Sequence, residues 1–244
     1  MSTTVAVVGA SGKLGTLVCR LVNESADFEL VAELGSKSDL ADMLVADLIV
    51  DVSLPSVSKQ VLEYALENGK SVLVGTSGWS AERIASVQPL IDAHPEQGVV
   101  FIANFSLGAA LASHLSVIAA KHFDSIEIIE AHGVHKVDSP SGTAVSTAER
   151  IGKVRDQDVQ APHADQRARG QLVAGVPVHS LRIEGVVAKQ DVIFGGNGET
   201  VTITHTTLSD RSYEAGIMAA IRALPGLKGK DRKSTRLNSS HANV

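Results

Sequence analysis

A chain of 244 residues is long enough to bury a core and corresponds to about one or two domains. Hydrophobic residues make up 44% and charged residues 20%, a balance too apolar for a disordered chain, and the net charge of −5 with only 3% aromatic residues offers neither a basic groove nor stacking platforms for nucleic acid. The single cysteine, Cys19, excludes an intramolecular disulfide and a Cys-rich zinc site, and reads as a small core residue.

The chain runs almost at once into the apolar stretch Val5 to Val8, with no signal-peptide pattern and no apolar run of about 18 residues. A cytoplasmic, soluble protein without membrane or nucleic-acid partners is therefore expected. Short β-rich runs are predicted at Val5 to Val8, Glu29 to Glu33, Asp47 to Val52, Ser71 to Val74 and Val99 to Ala103. Helical patterns separate them at Leu14 to Val22, Val57 to Glu67 and Ala81 to Asp92, with Gly69 and Pro95 as stops. This alternation predicts a parallel sheet covered by helices.

After Asn104 the pattern changes: an Ala-rich helix at Gly108 to His122, a strand at Ser125 to Glu130, and a helix from Thr143 to about Lys153. Arg155 to Gly175 is polar and aperiodic, and reads as a mobile loop. Strands follow at Val178 to Ile183, Gln190 to Phe194 and Thr200 to Thr206, with Gly195 to Gly198 as a turn, then a helix at Tyr213 to Leu224 ended by Pro225 and Gly226. The fold class is α/β: a Rossmann-like dinucleotide-binding domain over residues 1–105, to which 213–230 return, and an α+β substrate and oligomerisation domain over 106–212. Residues 231–244 resemble translated sequencing-adapter DNA and are expected to be non-native; they hold three basic and one acidic residue, so the net charge without them is −7.

Gly9-Ala10-Ser11-Gly12-Lys13-Leu14-Gly15 joins the first strand to the first helix. Glycines allow a tight turn and close backbone approach, and a helix N-terminus favours a pyrophosphate, so the loop is expected to be a dinucleotide site to which Lys13 could add a cation, the alternative being a purely structural strand-to-helix turn. Glu33, at the end of the second strand, suits a ribose hydroxyl pair, whereas Ser36 and Lys37 suit a 2′-phosphate. NADPH and NADH therefore both remain open.

The densest chemistry lies in Glu130-Ala131-His132-Gly133-Val134-His135-Lys136-Val137-Asp138-Ser139-Pro140-Ser141-Gly142-Thr143-Ala144. Two histidines, a lysine and two carboxylates can supply proton transfer near neutral pH, and Pro140 to Thr143 resemble a helix entry suited to a substrate carboxylate or to simple capping by Ser141; by spacing alone a polar connecting loop is the equal alternative. His132 and His135 lack the further ligands that a metal site needs, and none is expected.

At this segment the chain resembles the dihydrodipicolinate reductase family, whose signature is close to E-x-H-H-x-x-K-x-D-x-P-S-G-T-A. Supporting matches are Gly9 to Gly15, Val50-Asp51-Val52-Ser53, Val74 to Trp79, Asn104 to Gly108, and Phe194-Gly195 with Gly198-Glu199. The resemblance implies NAD(P)H-dependent reduction of a cyclic unsaturated dicarboxylate, 4-hydroxy-tetrahydrodipicolinate, on the diaminopimelate and lysine pathway, by a homotetramer. It implies His132 as proton donor or acceptor, Lys136 as proton donor, and His135, Ser141, Gly142 and Thr143 on the substrate. It further implies a nicotinamide near Gly75-Thr76-Ser77 and Ile102-Ala103-Asn104-Phe105. Three departures stand out. Gly133 replaces a second histidine, predicting weaker substrate binding. Ala103 replaces a proline. Gly35 replaces an acid that contacts ribose, which with Lys37 tilts the cofactor towards NADPH. A reductase of another carboxylated imine, or a nucleotide-binding regulator without turnover, uses the same elements; retention of His132 and Lys136 argues against the regulator.

Overall fold

The computed structural model describes residues 2–228, so the adapter-like segment 231–244 lies outside the described residues. In chain order the elements are β1 (Thr3–Val8), α1 (Lys13–Asn23), β2 (Phe28–Leu34), β3 (Leu48–Asp51), α2 (Pro55–Glu67), β4 (Ser71–Val74), α3 (Ala81–Ala93), β5 (Val99–Phe101), α4 (Leu107–Ala119), β6 (Ser125–His132), α5 (Gly142–Lys153), β7 (Gln171–Val173), β8 (Val176–Arg182), β9 (Ala188–Gly196), β10 (Glu199–Thr207) and α6 (Glu214–Ala223). The chain divides into two compact units, one from the N-terminus to Ser106 rejoined from Tyr213 onward, the other Leu107–Ser212.

The first unit is a five-stranded parallel sheet in the order β2-β1-β3-β4-β5. Val5, Val7, Ile49, Val50, Val72 and Leu73 are buried, as expected for strands covered on both faces. One face packs Leu17, Val18, Leu21 and Val22 of α1 with Ile217, Ala220 and Ile221 of α6; the other packs Val61, Leu62 and Leu66 of α2 with Val87 and Ile91 of α3. Consecutive connections leave β1 in opposite directions, towards β2 and then across to β3. Such a reversal opens a crevice beyond the strand C-termini, where ligands bind in folds of this type.

The second unit holds a mixed sheet in the order β10-β9-β6-β8-β7, with only β6 and β8 parallel. Ile126, Ile128, Val178, Val192 and Phe194 share a core with Ala144, Ala148 and Ile151 of α5. Part of the predicted loop 155–175 is instead regular: a 3-10 turn at Arg167–Arg169 and β7, which pairs with β8. Their hairpin turns on Ala174 (φ 48°) and Gly175 (φ 83°). Two successive positive φ values suit the twist of a two-residue hairpin, but alanine there gives no turn signal in the sequence. A further 3-10 turn at Leu40–Val45 is also absent from the predicted elements.

Candidate active site

In the first unit the glycine loop forms because larger residues do not fit. Gly9 has φ 90°, and a Cβ on it would lie 2.6 Å from the Val52 carbonyl oxygen; one on Gly15 would lie 2.0 Å from the Gly9 oxygen. The Gly9 and Ala10 amides donate to the Leu34 carbonyl at 2.8 and 3.1 Å, and Gly12 donates to Gly9 at 3.0 Å, which leads the chain directly into α1. The first-turn amides of α1 have no acceptor within the helix, and Ser11, Gly12 and Lys13 are exposed around them. This cradle fits a pyrophosphate.

The neighbouring strand ends carry the other predicted cofactor residues. Asp51, fully buried at the end of β3, accepts from the Ser53 amide (3.1 Å) and hydroxyl (2.5 Å) and from Ser58, which itself accepts from Trp79 Nε1 at 2.8 Å. The Asp51 carbonyl takes the Gly75 amide at 2.8 Å and the Thr76 hydroxyl at 3.3 Å. Gly75 must be small, since a Cβ would meet the Phe105 ring at 2.6 Å. Ile102 donates to Val74 at 2.8 Å, Asn104 Oδ1 accepts from the Ser106 amide at 2.8 Å, and Ser77 and Ala103 are exposed.

Glu33 and Lys37 are placed differently from one another. Glu33 lies against Cys19, whose thiol is pushed up to about 11 by burial and then by the Glu33 charge. A cysteine so protonated is a packing residue. Gly35 follows the register pair Val8 and Leu34, next to the glycine loop, and the nearest atom to a Cβ there would be Ser11 Oγ at 3.9 Å. Ser36 and Lys37 are exposed beside it.

In the second unit the chemistry converges on the C-terminal end of β6. Alternation along β6 turns Ile126, Ile128 and Glu130 to the core face, so Glu130 is a fully buried carboxylate. It is completely satisfied. Oε2 accepts from His132 Nδ1 at 2.6 Å and Arg182 Nη1 at 3.1 Å, while Oε1 accepts from Arg182 Nη2 at 3.0 Å and the Ser141 amide at 3.2 Å. Burial works to raise the Glu130 pKa, and hydrogen bonds led by Arg182 override it, so the carboxyl lies below its ordinary range. Burial also lowers the His132 pKa below its usual value, against the opposing pull of Glu130.

Lys136 is held by Asp138 (Nζ to Oδ1, 2.7 Å), an ion pair at the surface of the Gly133 to Asp138 turn. His135 is exposed on that turn. Ser141 caps α5, its hydroxyl accepting from the Ala144 amide at 3.3 Å, and Gly142 and Thr143 open the helix. The structure thus brings His132 and Ser141 to one anchor, with Lys136 and His135 on the intervening turn. Sequence reasoning did not single out Arg182, which lies 52 residues beyond its partner. The available signal was Glu130 itself, since a carboxylate on the apolar face of a strand needs a buried cation. Among the described residues no three His, Cys, Asp or Glu side chains gather as metal ligands, and no helix is long and apolar enough to cross a membrane.

A parallel sheet with a glycine loop at its reversal point, in a chain whose second unit bears a His–Glu–Arg cluster beside a helix start, defines a nicotinamide-dependent reductase. The family models for the N-terminus and C-terminus of dihydrodipicolinate reductase match residues 3–105 and 108–238. The chain is 58% identical to the 4-hydroxy-tetrahydrodipicolinate reductase of Clavibacter sepedonicus, over 94% of this chain and 83% of that one. It is 40% identical to the enzyme of the same name from Streptomyces griseus subsp. griseus, over 91% and 94%. A dipicolinate-bound dihydrodipicolinate reductase from Paenisporosarcina sp. TG-14 superposes with a TM-score of 0.77 at 29% identity, over 94% of this chain and 97% of that one. The chain belongs to the dihydrodipicolinate reductase family.

Proposed function

We propose that this protein reduces 4-hydroxy-tetrahydrodipicolinate to tetrahydrodipicolinate with a nicotinamide coenzyme, a cytoplasmic step of diaminopimelate and lysine biosynthesis. The observation that carries the reading is the sharing of Glu130 by His132 and the Ser141 amide. One carboxylate anchors a proton-transfer group and an anion-favouring helix start, which is what a reduced dicarboxylate requires.

Substrate and product differ by a hydroxyl. Replacing it by hydrogen takes one hydride and one proton and releases water. The nicotinamide, when bound, supplies the hydride. Gly9, Ala10, Ser11, Gly12, Lys13 and Leu14 hold its pyrophosphate; Gly75, Thr76, Ser77 and Ile102 to Phe105 take the nicotinamide end. Lys136 and His132 manage the proton, and Gly142 and Thr143, with Ser141 and His135, bind carboxylate. Gly35, exposed Lys37 and the engagement of Glu33 with Cys19 support NADPH over NADH. The uncovered face of the second sheet, where Ile129 and Ile193 are only partly buried and Leu181 is exposed, supports a homotetramer.

The test is NADPH, then NADH, oxidation with enzymatically generated 4-hydroxy-tetrahydrodipicolinate. Oxidation by the native protein, lost in His132→Ala, is expected. A folded, NADPH-binding protein that oxidises neither coenzyme would refute the assignment.

A further inference from the structure

We propose that Glu130 and Arg182 are positioning residues: Glu130 fixes His132 as the Nδ1–H tautomer, and Arg182 fixes the Gly133 to Asp138 turn that carries Lys136. The proposal rests on the functional reading above.

The geometry assigns every hydrogen on the Arg182 guanidinium. Nε donates to the Lys136 carbonyl at 3.2 Å, Nη1 to Glu130 Oε2 and the Leu181 carbonyl (2.7 Å), and Nη2 to Glu130 Oε1 and the Asp138 carbonyl. A guanidinium has five N–H groups, and all five are used within the chain. Arg182 therefore has no donor to offer a substrate carboxylate, although it lies beside the catalytic segment and its charge has the right sign. Its work is to pin two carbonyls that bracket Val137, one of them that of Lys136.

Glu130 is equally committed, with two donors at hydrogen-bond distance on each oxygen and the Ser180 hydroxyl beside them. Three of the four, the two from Arg182 and the Ser141 amide, cannot give up their role as donors. The fourth is His132 Nδ1, which must carry hydrogen to face an ionised oxygen. That leaves Nε2 as the ring nitrogen able to exchange a proton with another molecule.

Glu130→Gln separates this from a merely structural role. The new amide nitrogen meets an Arg182 donor at either end, and the neighbours able to turn acceptor are His132 Nδ1 and the Ser180 hydroxyl, so Glu130→Gln is made in a Ser180→Ala background that removes the second. The substitution therefore drives the ring proton from Nδ1 to Nε2. Nitrogen-15 NMR of His132 in the intact protein, without coenzyme or substrate and near neutral pH, should show the Nδ1–H form in the native protein and the Nε2–H form in Glu130→Gln. kcat should fall on the order of 10²-fold, with substrate KM changed less than about threefold. Arg182→Lys should keep the native tautomer but raise substrate KM several-fold, because an ammonium has only three donors. An Nε2–H ring in the native protein overturns the proposal, as does native kcat in Glu130→Gln; this holds even if that variant fails to fold, since the native tautomer is measured independently. A native protein with the Nδ1–H ring but no turnover of the dicarboxylate would instead defeat the functional reading.

Discussion

Burial sets His132 against its own protonation. Its pKa is lowered from 6.5 by desolvation first, with the Glu130 carboxylate opposing and the Lys136 and Arg182 charges adding to the fall. Below pH 6.5 the unfolded chain takes up this proton before the folded one, so the contribution to stability is complete above that pH and is lost as the solution is acidified. Glu130 acts in the same direction lower down: its folded pKa lies below 4.5, and its contribution fades as pH falls through that folded value. His205, also lowered by burial, adds to the upper window. Urea midpoints should therefore fall from pH 7.5 to 5.5, and less steeply in His132→Gln; parallel slopes for the two proteins would refute the assignment to His132. Gly133 gives a second prediction at this scale. A Cβ there would lie 3.3 Å from the Val186 oxygen, a contact that a few tenths of an ångström relieve, and its φ is not in the left-handed region. Gly133→His should fold, and supplying a second imidazole should lower substrate KM several-fold in steady-state kinetics.

Helix α6 shows how an element constrains a loop. A Cβ on Gly216 would stand 1.9 Å from the Phe105 carbonyl oxygen, so α6 lies directly on the backbone that ends the Ile102 to Phe105 segment. Phe105 in turn fills the space that Gly75 leaves open. Gly216→Ala should cost about 1–3 kcal/mol in urea unfolding, the usual range for overpacking, and should raise the KM for NADPH. An unchanged coenzyme KM would mean that the Phe105 segment does not touch the nicotinamide end. At β2, Gly35→Asp should move the ratio of kcat/KM for NADPH over NADH towards NADH by roughly tenfold, equivalent to about 1.4 kcal/mol.

The whole molecule is assembled discontinuously. Ile217, Ile221 and Leu224, all fully buried, come from the end of the described chain yet pack with Val5, Val7, Val18 and Val50 in the first unit. Residues 107–212 form the second unit without interruption. Expressed alone, residues 107–212 should unfold cooperatively, whereas residues 1–106 alone should show weak or no cooperative unfolding by circular dichroism. A sharp transition in the latter would show that α6 is dispensable.

The sequence by itself determined the order and kind of most elements, because apolar periods of two and 3.6 and the glycine punctuation are local properties. It also determined the glycine loop and the His132 to Thr143 segment, since contiguous residues carry both. Only the tertiary structure decided what pairs across the chain. Arg182 reaches Glu130 through the β6–β8 register, in which His132 stands beside Arg182. Glu33 turns towards Cys19 while Gly35 stands by the loop, after a register irregularity between Val5 and Ala6 that local patterning does not encode. The short strand β7 needed its partner as well: three residues at a sheet edge have too little periodicity to be read alone, and pairing with β8 is what orders them.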